Sequence, residues 1–192
     1  TVTFDYMDDT VNSPANKFTY ESLVVRYDFK YSTAKSGEEE VGLVNATRDG
    51  YTFEGWWTTR NYQDGTMVTA DTVVKSTSAI TLFAKWTANT DTPYTIELKF
   101  EMLDSTEFET LAEYASISAT GTTDKTPTDG EVEAFIEGKY KAIVGFTLDH
   151  IDSTEVRVNK TNVVTAYFTR NYNEITLTHD SGIANFDFKI EL

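Results

Sequence analysis

The sequence predicts an α+β chain that is mostly β and consists of two small modules in series. Residues 94–103 alternate apolar and polar side chains, which is the pattern of a strand with one buried face. Residues 128–131 have the spacing of a helix capping box, and apolar residues follow at helical spacing up to residue 140. Short motifs recur in both halves of the chain, which indicates repeated modules rather than one large fold.

The first half is predicted to be rich in strands, because its apolar segments are dominated by aromatic and β-branched residues. Tyr27, Phe29 and Tyr31 alternate with Asp28 and Lys30, so we expect a half-buried strand there. The predicted strands of this half are residues 2–7, 18–20, 23–31, 50–58 and 80–86.

The second half follows the order strand, strand, helix, strand, strand. Its helix is expected to begin at Thr128 and to end at Gly138 after two to three turns. One helix over one face of a mixed sheet is the arrangement of a ubiquitin-like β-grasp fold, so we predict two tandem β-grasp modules. The predicted strands of this half are residues 94–103, 108–117, 145–148, 156–158 and 163–169.

The predicted domains are residues 1–90, residues 91–171 and residues 172–192. The last of these is either the start of a third module or a C-terminal strand extension. The polar stretch 87–93 closes with Pro93 and is the predicted linker between the first two domains. The first two domains echo each other, since Gly-Tyr-Thr-Phe at 50–53 resembles Gly-Phe-Thr-Leu at 145–148.

Three ordered blocks of the first half resemble a known family. They are Val-Thr-Phe-Asp-Tyr at 2–6, the run Gly-Tyr-Thr-Phe-Glu-Gly-Trp-Trp-Thr at 50–58, and Ile-Thr-Leu-Phe-Ala-Lys-Trp at 80–86. This pattern is similar to the Listeria–Bacteroides repeat of bacterial surface proteins, which includes the B-repeat of internalins. The family's prolines before the glycine are absent here, and residues 18–40 look like an insertion.

A second resemblance covers residues 94–171. It rests on Gly-Phe-Thr-Leu at 145–148 and on Ala-Tyr-Phe-Thr-Arg-Asn at 166–171. These motifs resemble the MucBP-related β-grasp modules that stand beside the first kind of repeat in bacterial surface proteins. Together the two resemblances imply an extracellular or cell-surface location.

The charge and composition disfavour several classes of function. The formal net charge is −15, and no cluster of Lys and Arg is present, so we expect no nucleic-acid partner. There is no cysteine, which excludes thiolate metal sites and thiol nucleophiles. No apolar run approaches the roughly 18 residues of a spanning helix, so no membrane insertion is expected.

No motif predicts catalysis. His150 and His179 are far apart and lack metal-ligand spacing, so each is expected to be a surface or turn residue. We therefore predict that the chain is not an enzyme and holds no cofactor. Calcium is left open, because oxygen-bearing side chains are grouped at 8–9, 61–64 and 149–152.

Trp56 and Trp57 are the candidate ligand-contacting residues. Neighbouring residues of a strand point to opposite faces, so one of the two rings should lie on a polar face. A bulge at Gly55 would change which one, and the sequence does not decide between them. The alternative is that both rings belong to the core.

These features predict a non-catalytic tandem repeat module of a bacterial cell-surface or secreted protein. It would act as a stalk or spacer, or take part in adhesion to a host or bacterial surface protein or to a glycan. The alternative is a carbohydrate-binding or accessory domain of a secreted multidomain enzyme. We expect a monomer or a weak dimer through edge strands.

Overall fold

The computed structural model describes residues 1–8, 13–177 and 186–191. The chain divides into two compact units. Unit 1 comprises Thr1–Thr92 and Thr122–Asp124, and unit 2 comprises Pro93–Gly121 and Lys125–Leu192. The domain boundaries after residues 90 and 171 stay predictions. The chain is mostly β with a short helix, so the α+β class is confirmed, while the assignment to two β-grasp modules stays a prediction.

Unit 1 is built on a seven-stranded sheet. The strands of its described residues are Val2–Asp5 (β1), Ala15–Asn16 (β2), Ser22–Leu23 (β3), Lys35–Ser36 (β4), Glu39–Glu40 (β5), Thr47–Arg48 (β6), Tyr51–Trp57 (β7), Met67–Val68 (β8) and Ile80–Ala88 (β9). The sheet order is β2-β6-β7-β9-β1-β3, with β8 paired to β7. The β4 and β5 strands form a separate hairpin. Near the centre, β1 runs parallel to β9, and β7 runs antiparallel to β9 on its other side.

The core of unit 1 is a cluster of aromatic rings around Trp56. This side chain is 1% exposed. The centroid of its ring lies 4.9 Å from the ring of Phe4 and 5.2 Å from that of Phe53. Tyr31, in the 3-10 helix Tyr31–Thr33, is buried in the same cluster. Burial of each large apolar side chain stabilises the fold by about 1.5–3 kcal/mol, so these rings dominate the stability of unit 1.

The predicted strand at 23–31 is wrong. The regular strand ends at Leu23, and Asp28 has a φ of 66°, which a strand cannot contain. The Asp28 N–H donates to the Val74 carbonyl, and the Val74 N–H donates to the Phe29 carbonyl. The segment therefore pairs irregularly with residues 72–75, and the alternation of its aromatic residues does not correspond to a buried and an exposed face.

Unit 2 is built on a five-stranded sheet. The strands of its described residues are Thr92–Glu101 (β10), Phe108–Glu109 (β11), Ile117–Gly121 (β12), Phe146–Asp152 (β13), Val163–Arg170 (β14), Tyr172–Leu177 (β15) and Phe186–Glu191 (β16). The sheet order is β11-β10-β14-β13, and β12 also pairs with β10. The central strands β10 and β14 are parallel, and β13 is antiparallel to β14. The final two strands, β15 and β16, pair with each other in a separate hairpin.

The predicted alternation of β10 is confirmed. Tyr94, Ile96, Leu98 and Phe100 are buried, and the residues between them are partly exposed. The region 108–117 is less regular than predicted, because only Phe108–Glu109 forms the antiparallel partner there. Residues 156–158 are not a strand, and Val156 instead makes an isolated bridge with Lys125.

The helix of unit 2 is Asp129–Lys139 (α1), and its predicted capping box is present. The Glu131 N–H donates to the Thr128 hydroxyl, and the Glu131 carboxylate accepts from the Thr128 N–H at 2.8 Å. Val132 and Ile136 are buried against the sheet. The helix ends one residue beyond Gly138, because the Tyr140 N–H still donates to the Ile136 carbonyl at 2.7 Å.

The predicted linker at 87–93 is shorter than expected. Strand β9 continues to Ala88, and β10 begins at Thr92, so only Asn89–Asp91 lies between them. The Asn89 carbonyl accepts from the Thr123 N–H, and the Thr92 and Thr123 hydroxyls lie 2.6 Å apart. The polar composition of this stretch therefore reflects hydrogen bonding within unit 1.

Candidate functional site

Strand β7 contains a bulge just before the two candidate tryptophans. The register of β7 against β9 shifts between Phe53 and Gly55, and the φ of Gly55 is 138°. A Cβ at Gly55 would lie 2.9 Å from Cε of Met67 and 3.2 Å from Cζ3 of Trp57. Glycine is required here by both the backbone conformation and the close approach of the Trp57 ring.

The expectation that one of the two tryptophan rings is exposed is wrong. Trp56 lies in the core, and its indole N–H donates to the Val44 carbonyl at 2.8 Å. Trp57 is 8% exposed. The ring of Tyr62 packs edge-on against it at 5.6 Å, and the Lys85 ammonium lies 5.1 Å from its centroid. Contact of Trp56 and Trp57 with a ligand stays a prediction, and neither ring lies open for it.

Three of the exposed large apolar side chains of unit 1 lie instead in residues 24–29. Val24, Tyr27 and Phe29 are 57%, 55% and 48% exposed, respectively. Scattered single apolar residues are ordinary on a protein surface, but three within six residues form a local group. We name residues 24–29 the exposed aromatic segment. It lies inside the stretch that the sequence marks as an insertion into the repeat.

Ion pairs and a cavity adjoin the exposed aromatic segment. The Lys75 ammonium donates to the Asp28 carboxylate, and this hydrogen bond raises the pKa of Lys75 above its ordinary value. Lys30 pairs with Asp71 at 2.9 Å, which lowers the pKa of Asp71. A cavity of about 300 Å3 lies beside the segment, and Tyr27 contributes to its lining together with the polar run 76–78. An ordered aromatic ring beside hydroxyl groups can contact a sugar or a peptide.

A buried polar cluster in unit 1 centres on Arg48, which is 5% exposed. Its Nε donates to the Ser13 carbonyl at 2.6 Å, and its guanidinium lies 3.6 Å from the ring centroid of Tyr51. The Tyr51 hydroxyl donates to Asp124 at 2.7 Å, and that carboxylate lies 3.9 Å from Nη2 of Arg48. Burial lowers the pKa of Arg48, and the nearby Tyr51 and Asp124 oppose this shift. The cluster is enclosed, which fits a structural role.

The grouped acidic residues and the two histidines were considered as metal ligands. In residues 1–8, 13–177 and 186–191, no group of three His, Asp or Glu side chains is arranged to hold a metal ion. Asp8 accepts from the Ala15 N–H at 2.9 Å, and Asp9 lies outside the described residues. The ring of His150 is exposed and stacks on Tyr167 at 4.4 Å, as expected for a surface histidine. His179 lies outside the described residues, and calcium binding stays a prediction.

Sequence analysis missed the exposed aromatic segment and the Arg48 cluster. The alternation at 27–31 predicted a half-buried strand in place of the exposed aromatic segment, although the apparent insertion at 18–40 includes the same residues. The second joins residues from three distant parts of the chain, and no local pattern indicates such a contact.

No described helix combines the length and the apolar character needed to cross a bilayer. No curated protein and no solved structure matches the chain. The family model of the Listeria-Bacteroides repeat domain matches residues 1–85. This match supports the resemblance of the first half to a bacterial repeat domain, of a kind typical of extracellular or surface proteins.

Proposed function

We propose that the chain is a non-catalytic pair of repeat modules that serves as a spacer in a bacterial cell-surface or secreted protein. The observation that carries this proposal is the repeat-family match of residues 1–85 together with the use of the same strand pairing in unit 2. In unit 1, β1 lies parallel to β9, and β7 lies antiparallel to β9 on its other side. In unit 2, β10 lies parallel to β14, and β13 lies antiparallel to β14 on its other side. A glycine immediately precedes the aromatic residue that begins β7 and β13. A second module built on the same pairing is what a tandem repeat requires. The MucBP-related and internalin-like assignments belong to this proposal.

Adhesion is the second candidate role, and the exposed aromatic segment favours it. Tyr27 and Phe29 display their rings on backbone that is hydrogen-bonded to Val74. Rings held in this way bind with little loss of conformational freedom. The partner would be a host or bacterial surface protein or a glycan, contacted outside the cell.

Beads coated with the purified chain and offered to a glycan array and to a panel of host extracellular-matrix proteins test the two roles. A pure spacer gives no binding above uncoated beads. An adhesin gives binding that disappears in the double variant Tyr27→Ser/Phe29→Ser, whose rings are exposed and whose fold should persist. The matched control is Met67→Ser, which removes another exposed apolar side chain of unit 1.

Three results would contradict these roles. Binding that survives loss of both rings would remove the segment from the adhesion proposal. Binding to insoluble polysaccharide alone would favour the accessory domain of a secreted enzyme. Hydrolysis of any offered glycan by the purified chain would contradict the proposal that it is not an enzyme.

A further inference from the structure

A groove between α1 and β13 in unit 2 has no role in the spacer function. Its volume is about 300 Å3. Ile136 and Phe168 are buried at its base, and Phe146 and Leu148 of β13 are partly exposed along one side. Glu133 and Glu137 of α1 are exposed on the other side. The groove is thus apolar within and acidic along its helical side.

One wall of the groove is a sheet edge. Strand β13 stands last in the order β11-β10-β14-β13, and within the described residues no strand pairs with its outer side. The Gly145 carbonyl accepts from the Asn171 N–H at 2.9 Å, so Gly145 and Asn171 form a hydrogen-bonded pair at one end of the β13–β14 ladder. Such pairs alternate along an antiparallel ladder. Thr147 therefore belongs to the next bonded pair, and the N–H and C=O groups of Phe146 and Leu148 point away from β14.

The two halves of β13 differ in whether their outer edge is protected from pairing with another strand. The register against β14 shifts between Leu148 and His150, which makes a bulge at Asp149. Asp149, His150 and Asp152 are exposed. Bulges and charged side chains are devices that prevent unwanted strand pairing at an edge. They protect the second half of β13 and leave residues 146–148, beside the groove, open to a partner strand.

We propose that the groove binds an extended cationic peptide segment of another protein, which pairs as a short strand with residues 146–148 and places an apolar side chain in the groove. Strand addition at an edge gives affinity through the main chain, and side-chain pockets give specificity. This partner chemistry goes beyond the spacer function and does not depend on the exposed aromatic segment of unit 1.

The charges decide the class of occupant. Neither Glu133 nor Glu137 takes part in an ion pair in the part of the chain that the structure describes. Lys141 also lines the groove, so its rim carries two negative charges and one positive charge from these three side chains. With a net charge of −15, a second copy of this chain would bring like charge to the site. A cationic segment is complementary to it.

The test uses the whole chain and a fluorescent peptide of alternating lysine and valine, about eight residues long, which is a typical strand length. Binding is followed by fluorescence anisotropy, and the contacted amides by two-dimensional NMR. We expect saturable binding with shifts centred on residues 146–148 and on the groove. The double variant Glu133→Lys/Glu137→Lys should bind roughly fivefold or more weakly, since two surface ion pairs are lost. Its matched control, Glu109→Lys/Glu113→Lys, changes the net charge equally at two exposed residues that do not line the groove, and it should bind as the parent does.

A second peptide separates strand addition from plain attraction between opposite charges. It carries the same side chains but has N-methylated backbone amides on alternate residues, so it cannot donate along a ladder. We expect its binding to be lost. Equal binding of the methylated peptide, shifts centred outside unit 2, or no saturation would each overturn the proposal. Concentration-dependent shifts at residues 146–148 without any peptide would assign the groove to a second copy of the chain and overturn it as well.

Discussion

The two units share a sheet frame but cover it in different ways. In both, a central strand (β9 or β14) has the first strand of the unit (β1 or β10) as its parallel neighbour on one side and an antiparallel strand (β7 or β13) on the other. Unit 2 covers one face with the helix α1, whose Val132 and Ile136 are buried. Unit 1 instead uses the 3-10 helix at Tyr31 and rings such as Phe18 that pack around Trp56. The arrangement of the central strands is therefore the feature that both units share. In unit 1, aromatic rings cover a face of the sheet, as the helix does in unit 2.

The similarity extends to the residue that follows β9 in unit 1 and β14 in unit 2. The Asn89 N–H donates to the Gly50 carbonyl, and the Asn171 N–H donates to the Gly145 carbonyl, both at 2.9 Å. Each asparagine side chain also accepts from a threonine hydroxyl, Thr52 at 2.9 Å and Thr147 at 2.6 Å. The motif echo in the sequence therefore corresponds to the same local hydrogen bonding in both units.

The largest expected effect tests the ring-based covering of unit 1. Trp56→Ala should lower the free energy of unfolding of unit 1 by about 3–5 kcal/mol, because it removes a buried ring that four others contact. Chemical denaturation followed by NMR of amides in each unit measures it. The matched variant Phe100→Ala should act in the same way on unit 2, where that ring is buried. Equal loss in both units from either variant alone would show that the cores are not separate.

Glycine substitutions should have opposite signs in the two units. Gly55→Ala should destabilise unit 1 by about 1–3 kcal/mol, since its φ is 138° and its Cβ would overlap Met67 and crowd Trp57. Gly138→Ala should stabilise unit 2 by about 0.5–1 kcal/mol, because it lies in α1 with nothing within 4 Å of a Cβ. Thermal denaturation of the two variants measures both changes. A neutral Gly55→Ala would mean that the bulge is not fixed as described.

The capping box tests the helical covering of unit 2. Thr128→Ala should cost about 1 kcal/mol of stability. The Thr128 N–H and hydroxyl both donate to the Glu131 carboxylate. These hydrogen bonds lower the pKa of Glu131 below the ordinary 4.5. The stabilisation is therefore present above pH 4.5 and is lost as the pH falls through the lowered pKa. Urea titrations from pH 3 to pH 7 should show a smaller acid-dependent loss in Glu131→Gln than in the parent. An equal acid-dependent loss of stability in Glu131→Gln and in the parent would show that the capping box is not the source of that loss.

The smallest effects concern the shared strand ends. Thr52→Val and Thr147→Val each remove one exposed side-chain hydrogen bond to an asparagine, and each should cost about 0.5 kcal/mol. Valine suits a strand as well as threonine does, so the difference reports the hydroxyl. The control is Thr95→Val on β10, where the hydroxyl makes no hydrogen bond within the described residues. Clearly unequal losses from the first two variants would show that the two ends are not equivalent in energy.

Local patterns predicted the parts of the fold that local physics decides. The alternation of β10 and the Thr128 capping box each involve neighbours in sequence, and both are present. The prediction failed where a distant segment decides the outcome. The backbone pairing with Val74 accommodates a left-handed Asp28, and the turn that carries Tyr62 packs against the ring of Trp57.

The same distinction applies to the candidate sites. The exposure of Tyr27 depends on the irregular pairing of its segment with residues 72–75, and the open edge of β13 depends on the sheet order. A single sequence gives neither. The bulge at Gly55 was considered in advance because glycine inside a run of aromatic residues is typical of one, and the register shift lies there. The exposure of Trp57 beside this bulge depends on Tyr62 and Lys85, which belong to a turn and to another strand.

The parallel pairing of β1 with β9 and of β10 with β14 has a mechanical consequence. If tension acts on the start of β1 and the end of β9, it draws two neighbouring strands past each other, and the four residue pairs from Val2–Ile80 to Asp5–Phe83 share the load. In unit 2 the six pairs between β10 and β14 would be loaded in the same way. Bonds pulled in shear must break together, whereas a hairpin pulled from its open end unzips one bond at a time. Each unit therefore resists stretching along the direction in which a tethered chain would be pulled.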